Sequence, residues 1–273
     1  MSGEKIKLIL YWSGLAFFLL LELRESYRPA TVSKLQRWLT NLPLSIANGL
    51  FYHMVYAAPL GLLLLQNEAG RHGLLNSYDL PYWLKMLFTI LILDFVIYIW
   101  HLLNHEVPLF WRFHRVHHSD LNMDASTANR FHLGELLFSG LLRLAVVYTF
   151  GLPAAGYILF EILANLSIQF HHSSIRMPAD FEKRWMLLFV PPSMHRVHHS
   201  VKIRERDSNY GVLFSLWDRL LGTLTQGVDQ DGIVIGLGEQ LDVEFKSDRC
   251  NVFRGQPCFL LNWKTEKQRN IMI

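Results

Sequence analysis

At 273 residues the chain is long enough for one large domain or two small ones, and its net charge of +3, with no dense Lys/Arg block, excludes a nucleic-acid surface. Apolar residues make up 51%, charged residues 18% and mean hydropathy is +0.18, values that exceed those of an ordinary soluble domain and suit a membrane protein with polar connectors. Cys250 and Cys258 match no zinc or iron–sulfur spacing, so the chain has no cysteine-held cluster, and the two thiols are read as unpaired and structural.

In chain order, Leu8 to Leu23 is an apolar run closed by Arg24, and no small-residue cleavage site follows it, so it is expected to remain as a membrane helix. Arg24, Arg28, Lys34 and Arg37 make a basic connector over 24–41, followed by a second apolar run, 42–65. A polar connector with Asn67, Glu68, Arg71 and Asp79 leads to a third run, 83–100, broken only by Lys85 and Asp94. The stretch 136–170 is apolar apart from Arg143 and Glu161, and Gly151-Leu-Pro153 divides it into two short halves. It reads as a tight helical hairpin, with two tilted spans fitting as well. Charge then sets topology: the basic connector 24–41 faces the cytosol, 66–82 lies outside, and both 101–135 and 171–273 return to the cytosol. The expected fold is therefore all-α, an integral, multi-pass membrane protein with about four transmembrane or hairpin helices and a cytosolic histidine-rich metal-binding cap. Its divisions would be an N-terminal pair of helices (1–82), a histidine-box domain (83–225) and a polar tail (226–273).

Histidine is the anomalous residue, with 13 in the chain and 11 of them between His101 and His199. His101 and His105 lie at i and i+4, on one helical face continuing the third apolar run. His114-Arg-Val-His117-His118 follows, then His171-His172, then His195-Arg-Val-His198-His199, which repeats the second box down to the serines Ser119 and Ser200. Composition alone would place about 0.03 HxxHH boxes in such a chain, so two copies are not chance. In a helix i, i+3 and i+4 share a face, so each box is expected to aim three imidazoles at one point. Isolated His53 and His72 carry no such pattern and are given no role. Close-packed imidazoles would repel one another if protonated and lack partners if neutral, and metal ions resolve both problems. Eight to ten histidines with few carboxylates are too many for one zinc and fit two five- or six-coordinate ions; iron can carry out redox chemistry with O2, whereas zinc cannot.

These boxes and their flanks resemble the fatty acid hydroxylase / sterol desaturase superfamily of membrane di-iron oxygenases. The resemblance covers about residues 85–225: Asp94 ahead of His101-x-x-x-His105, Leu109-Phe-Trp-Arg-Phe-His114 through Ser119, Thr127-Ala-Asn-Arg130-Phe-His132-Leu-Gly-Glu135, Phe170 to Ser174, Pro192-Ser-Met-His195 through His199, Asn209-Tyr-Gly, and Trp217 to Thr223. It implies that His101, His105, His114, His117, His118, His195, His198 and His199 are metal ligands, with His172 a ninth. His171 and His132 would be either ligands or residues that orient one. Glu106 is similar to a glutamate of the alkylglycerol-cleaving branch and is expected to take a catalytic role, orienting a histidine or moving a proton. The implied cofactors are two iron ions. The implied activity is hydroxylation or desaturation of a lipid (a sterol or other isoprenoid, a fatty acyl chain or an alkylglycerol) with O2. The chain shows no haem-binding domain and no GxGxxG fingerprint, so electrons would come from an external ferredoxin or b-type cytochrome with its reductase. Two alternatives stand beside this reading, a binuclear zinc-dependent membrane hydrolase and a non-catalytic membrane metal-binding protein.

Overall fold

The computed structural model describes residues 3–24 and 26–238. Cys250, Cys258 and most of the polar tail lie outside the described residues. Among these residues there are ten α-helices: α1 (Gly3–Arg24), α2 (Lys34–Glu68), α3 (Tyr82–Glu106), α4 (Pro108–His118), α5 (Leu133–Phe150), α6 (Ala154–His172), α7 (Ala179–Trp185), α8 (Pro192–His198), α9 (Ile203–Arg206) and α10 (Leu216–Leu221). Among the described residues no strand forms, only isolated bridges. Among the described residues four helices, α1, α2, α3 and α5, are long and apolar enough to cross a membrane. The chain is a helical membrane protein.

α1, α2, α3, α5 and α6 run side by side, with α6 packed against both α1 and α3 and α5 against α2. Leu93, Val147, Leu152, Tyr157 and Phe160 form the apolar centre between them, while many leucines on the outside, such as Leu50 and Leu62, remain exposed. That outward display fits a bundle solvated by lipid. Gly151 ends α5 in the left-handed conformation at φ 65° and Pro153 starts α6, which makes the sharp reversal that the Gly-Leu-Pro sequence announced. The reversal reaches the last turn of α2 and the connector after it: Asn67 Nδ2 donates to the carbonyls of Val147 and Leu152 at 3.0 Å. Gly73 comes so close that a Cβ there would lie 2.2 Å from the Gly151 backbone. The hairpin therefore extends the full distance between the histidine end of the bundle and its far end, at about 1.5 Å per residue.

α2 is longer than the second apolar run, because residues 34–41 of the basic connector are helical. Arg37, Asn41, Ser45 and Asn48 recur at helical spacing and are all buried, so this helix turns its polar stripe inward and its leucines outward. The stripe grips the segment that follows the second histidine box. Arg37 makes paired bonds to Asp120 at 2.6 and 2.8 Å and another to Asp124 at 2.5 Å, and Asn41 donates to Asp120 and Ser126. Burial pushes the Asp120 carboxyl up, but the hydrogen bonds and charge of Arg37, with the hydrogen bonds from Thr127 and Asn41, together hold it below its usual range. Glu22 of α1 accepts the N–H groups of Ala125 and Ser174, joining the same segment to the end of α6.

Candidate metal centre

Four short or terminal pieces of helix deliver the histidines. α3 carries His101 and His105 in its last turns and α6 ends on His171 and His172. α4 and α8 each open with a proline in the first turn, Pro108 and Pro192, where its missing N–H costs nothing, and each ends in an HxxHH box.

The imidazoles gather in two groups: His101, His105, His114, His118 and His198 in one, and His117, His172, His195 and His199 in the other. Within each group the ligand atoms lie within 4.8 Å of one another. This corrects the expectation that each box aims three rings at one point. In both boxes the i and i+4 histidines serve one group and the i+3 histidine serves the other: His114 and His118 against His117, and His195 and His199 against His198. One helical step turns a side chain by about 100°, so i+3 and i+4 diverge enough to reach opposite sides once two boxes face each other. The groups adjoin, with the His118 ring stacked on His199 at a centroid distance of 4.4 Å.

Acceptor-only groups fix the tautomers of four members of the first group, while His118 is buried with neither ring nitrogen hydrogen-bonded. The Nδ1–H of His101 donates to the Tyr210 carbonyl at 2.9 Å and that of His198 to the Ser208 carbonyl at 2.8 Å. His114 Nδ1 donates to Glu135 at 2.9 Å and His105 Nδ1 to Asp207 at 3.2 Å. With the proton on Nδ1, each Nε2 presents a lone pair. The Nε2 atoms of all five members are buried without a hydrogen-bond partner. Orphaned buried acceptors are costly in a folded protein, and five converging in one place suit a cation.

In the second group His172 donates through Nδ1 to the Ile168 carbonyl at 2.8 Å, which leaves its Nε2 bare. That atom lies 3.0 Å from the Nε2 of both His117 and His195, and His195 Nε2 lies 3.1 Å from that of His199. A single Nε2 proton on His195 cannot point at two neighbours at once. Nitrogens each about 2.1 Å from one ion and at right angles would stand about 3.0 Å apart, so the spacing fits a shared metal. Burial first, and neighbouring imidazoles next, hold His117, His118, His195 and His199 well below the ordinary histidine range, which keeps them neutral and able to ligate.

Not every candidate joins a group. His171 is fully buried with its ring 4.1 Å from His195, but it belongs to neither cluster. His132 is exposed, caps α5 by accepting the Gly134 N–H at 2.9 Å and stacks on Phe113. Glu106 is half-buried at the end of α3 and likewise outside both groups. His72 packs on Tyr148 near the hairpin reversal, and His53 is exposed on α2.

The residues that hold the histidines in place were missed. Glu135 carries no local signal beyond its place in the Thr127–Glu135 motif, and Asp207, Ser208 and Tyr210 act through one carboxylate and two carbonyls. Asn209, between the two carbonyls, is the described non-glycine residue with positive φ, 56°. Its side chain donates to the Met194 and Thr225 carbonyls at 3.0 Å and accepts the Thr225 N–H at 2.8 Å. Asp218 accepts the N–H groups of Tyr210 and Gly211 at 2.8 Å. The left-handed residue turns its two flanking carbonyls toward His198 and His101. The Asn209-Tyr-Gly and Trp217-Asp sequences were therefore the visible signal for this support.

Residues 86–223, half of the chain, match the fatty acid hydroxylase family. The chain belongs to that family. Its relatives include an ornithine lipid hydroxylase of Rhizobium tropici, 32% identical over 54% of this chain and 46% of its own length. An alkylglycerol monooxygenase of Caenorhabditis elegans is 29% identical over 59% of this chain and 30% of its own length, and human cholesterol 25-hydroxylase is 28% identical over 64% of each. The matched stretch thus spans less than two thirds of each of these relatives. No solved structure matches the chain.

Proposed function

We propose that the protein is a membrane lipid hydroxylase that uses O2 and a pair of iron ions. His101, His105, His114, His118 and His198 would hold one ion, and His117, His172, His195 and His199 the other. The observation that carries this reading is the pair of adjoining imidazole groups whose Nε2 lone pairs converge without partners. The all-nitrogen donor set favours a transition metal over magnesium or calcium, and two redox-active ions favour O2 chemistry over hydrolysis. The names of the relatives are all hydroxylases or monooxygenases acting on lipids, which favours hydroxylation over desaturation here.

Bound irons would supply the activation of O2 needed to oxidise an inert C–H bond. Overall, the lipid, O2, two electrons and two protons give the lipid alcohol and water. The chain's own contribution is to fix ring orientation through Glu135, Asp207 and the carbonyls of Ser208, Tyr210 and Ile168. It also keeps water from rings that are almost all buried. Glu106 and His171, beside the centre but outside it, remain proposed for proton movement and ring orientation. The electrons would come from an external ferredoxin or b-type cytochrome, on a cytosolic face carrying the boxes.

The test is metal analysis after anaerobic purification in mild detergent, coupled to O2 uptake with a reductant and lipid extract. About two irons per chain and lipid-dependent uptake are expected. Two zinc ions that persist through iron reconstitution, with no uptake, would overturn the oxygenase reading.

A further inference from the structure

We propose that the turn after α7 and the helix α10 form a wedge sunk among the acyl chains of the leaflet on the histidine side, rather than part of a water-exposed cap. The depth follows from three anchors on α3 and α6. Asp94 of α3 accepts the Leu213 and Phe214 N–H groups at 3.0 and 3.2 Å and the Trp217 indole N–H at 2.7 Å. Ser167 of α6 donates to the Val212 carbonyl at 2.8 Å, and the Phe95 ring packs on Trp217 at 4.9 Å.

Asp94 lies seven residues before His101, and Ser167 five before His172. At about 1.5 Å per residue, segment 212–217 sits roughly 8–10 Å from the histidines toward the far end of the bundle. Trp100 marks where the apolar run of α3 ends, and Asp94 is about 9 Å inside it. The segment therefore reaches the level of the hydrocarbon alongside a helix apolar enough to span it.

The outer face of this segment has the chemistry that such a level requires. Ser215 and Arg219 bind the 186–188 turn, with Ser215 N–H on the Leu188 carbonyl at 3.1 Å and Arg219 on the Met186 carbonyl at 2.7 Å. Together the two pieces display Leu187 (66% exposed), Leu188 (52%), Leu216 (37%), Leu220 (66%) and Leu221 (49%). Leu216 and Leu220 stand at i and i+4, one face of α10. So many exposed leucines side by side exceed scattered surface apolarity, and they continue the exposed apolar band of α3 (Leu87, Phe88, Phe95). Arg219 folds its guanidinium back onto a main-chain carbonyl, and Lys183 and Arg184 of α7 stand exposed at the rim, as basic groups do at a lipid interface.

The experiment uses the full chain with Cys250 and Cys258 replaced by Ser, carrying Leu220→Cys or Leu187→Cys labelled with bimane. Each is reconstituted in phosphatidylcholine vesicles whose acyl chains are brominated. Both labels should be quenched as strongly as a bimane at Leu87→Cys on α3, while one at Lys202→Cys stays unquenched. All four positions are exposed, so the substitutions leave the core intact, and matched metal content checks the fold. Quenching no greater than at Lys202, with rapid reaction of the free thiols toward a water-soluble reagent, would overturn the proposal. Protection from both bromine and the aqueous reagent would place protein on the face and overturn it equally.

Discussion

His117 and His118 are neighbours in sequence, yet they serve different groups. Their replacement should therefore separate the two proposed ions. At saturating iron, His198→Ala should lower bound metal from about two ions to about one by stripping the five-ligand group, and His117→Ala should do the same through the four-ligand group. The double variant should hold none. Metal analysis on samples matched for folded yield checks this, and unchanged iron in either single variant would remove that histidine from its set. The same burial that keeps the rings neutral makes the metal-free chain acid-sensitive. His117, His118, His195, His198 and His199 are held well below the ordinary value of 6.5, by burial first and neighbouring imidazoles next. Below that pH the unfolded chain takes up protons that the folded chain refuses, so unfolding gains as acidity rises. Stability of the apo-protein should be fully present above about pH 6.5 and fall progressively below it, seen as a melting temperature that drops between about pH 7.5 and 5.5. A flat profile would mean that the rings are not packed as described.

At the scale of elements, the loop 208–212 supports the centre without supplying a ligand. Asn209→Ala removes three side-chain hydrogen bonds and places a Cβ-bearing residue without local compensation at φ 56°. A loss of about 2–4 kcal/mol is expected, together with weaker binding in the group containing His101 and His198, whereas Asn209→Gly should restore the backbone and not the bonds. Denaturant melts and metal titration on the three proteins distinguish these effects. The two histidine boxes were legible because a box is local: three residues on one turn announce themselves. The partition between groups was not legible, because it depends on α4 and α8 facing each other across the bundle. Glu135 and the carbonyls of Ser208 and Tyr210 were hidden for the same reason, since main-chain acceptors leave no mark on composition. The start of α2 was hidden for a different reason. Arg37 and Asn41 look like connector residues until their spacing is matched to Asp120, Asp124 and Ser126.

For the whole molecule, the three apolar runs, the Gly-Leu-Pro reversal and the shared location of the boxes all emerged from hydropathy and turn chemistry. The extent of the hairpin did not, because Asn67 and Gly73 meet Val147 and Gly151 only in the folded bundle. That contact places 66–82 at the end opposite the histidines. Single cysteines at Gln36, Arg112 and Lys202, which are exposed, should share one side of the membrane, with one at Arg71 on the other. An impermeant thiol reagent applied to intact cells, with Cys250 and Cys258 removed, should label only Arg71→Cys. Opposite reports from Arg112 and Lys202 would dismantle the shared centre.

The crossed allegiance of each box has a thermodynamic corollary. α4 and α8 each supply rings to both groups, so they would act as common struts, and the first of the proposed ions to arrive would immobilise rings that the second also needs. The ordering cost is then met largely once, and the empty sites should fill as a pair. Titration of the apo-protein with ferrous iron under argon should give a Hill coefficient above about one and few half-loaded molecules by native mass spectrometry, with the ion left in His117→Ala or His198→Ala held more weakly than either in the intact pair. Independent, equal steps would show that the two halves of each box do not communicate.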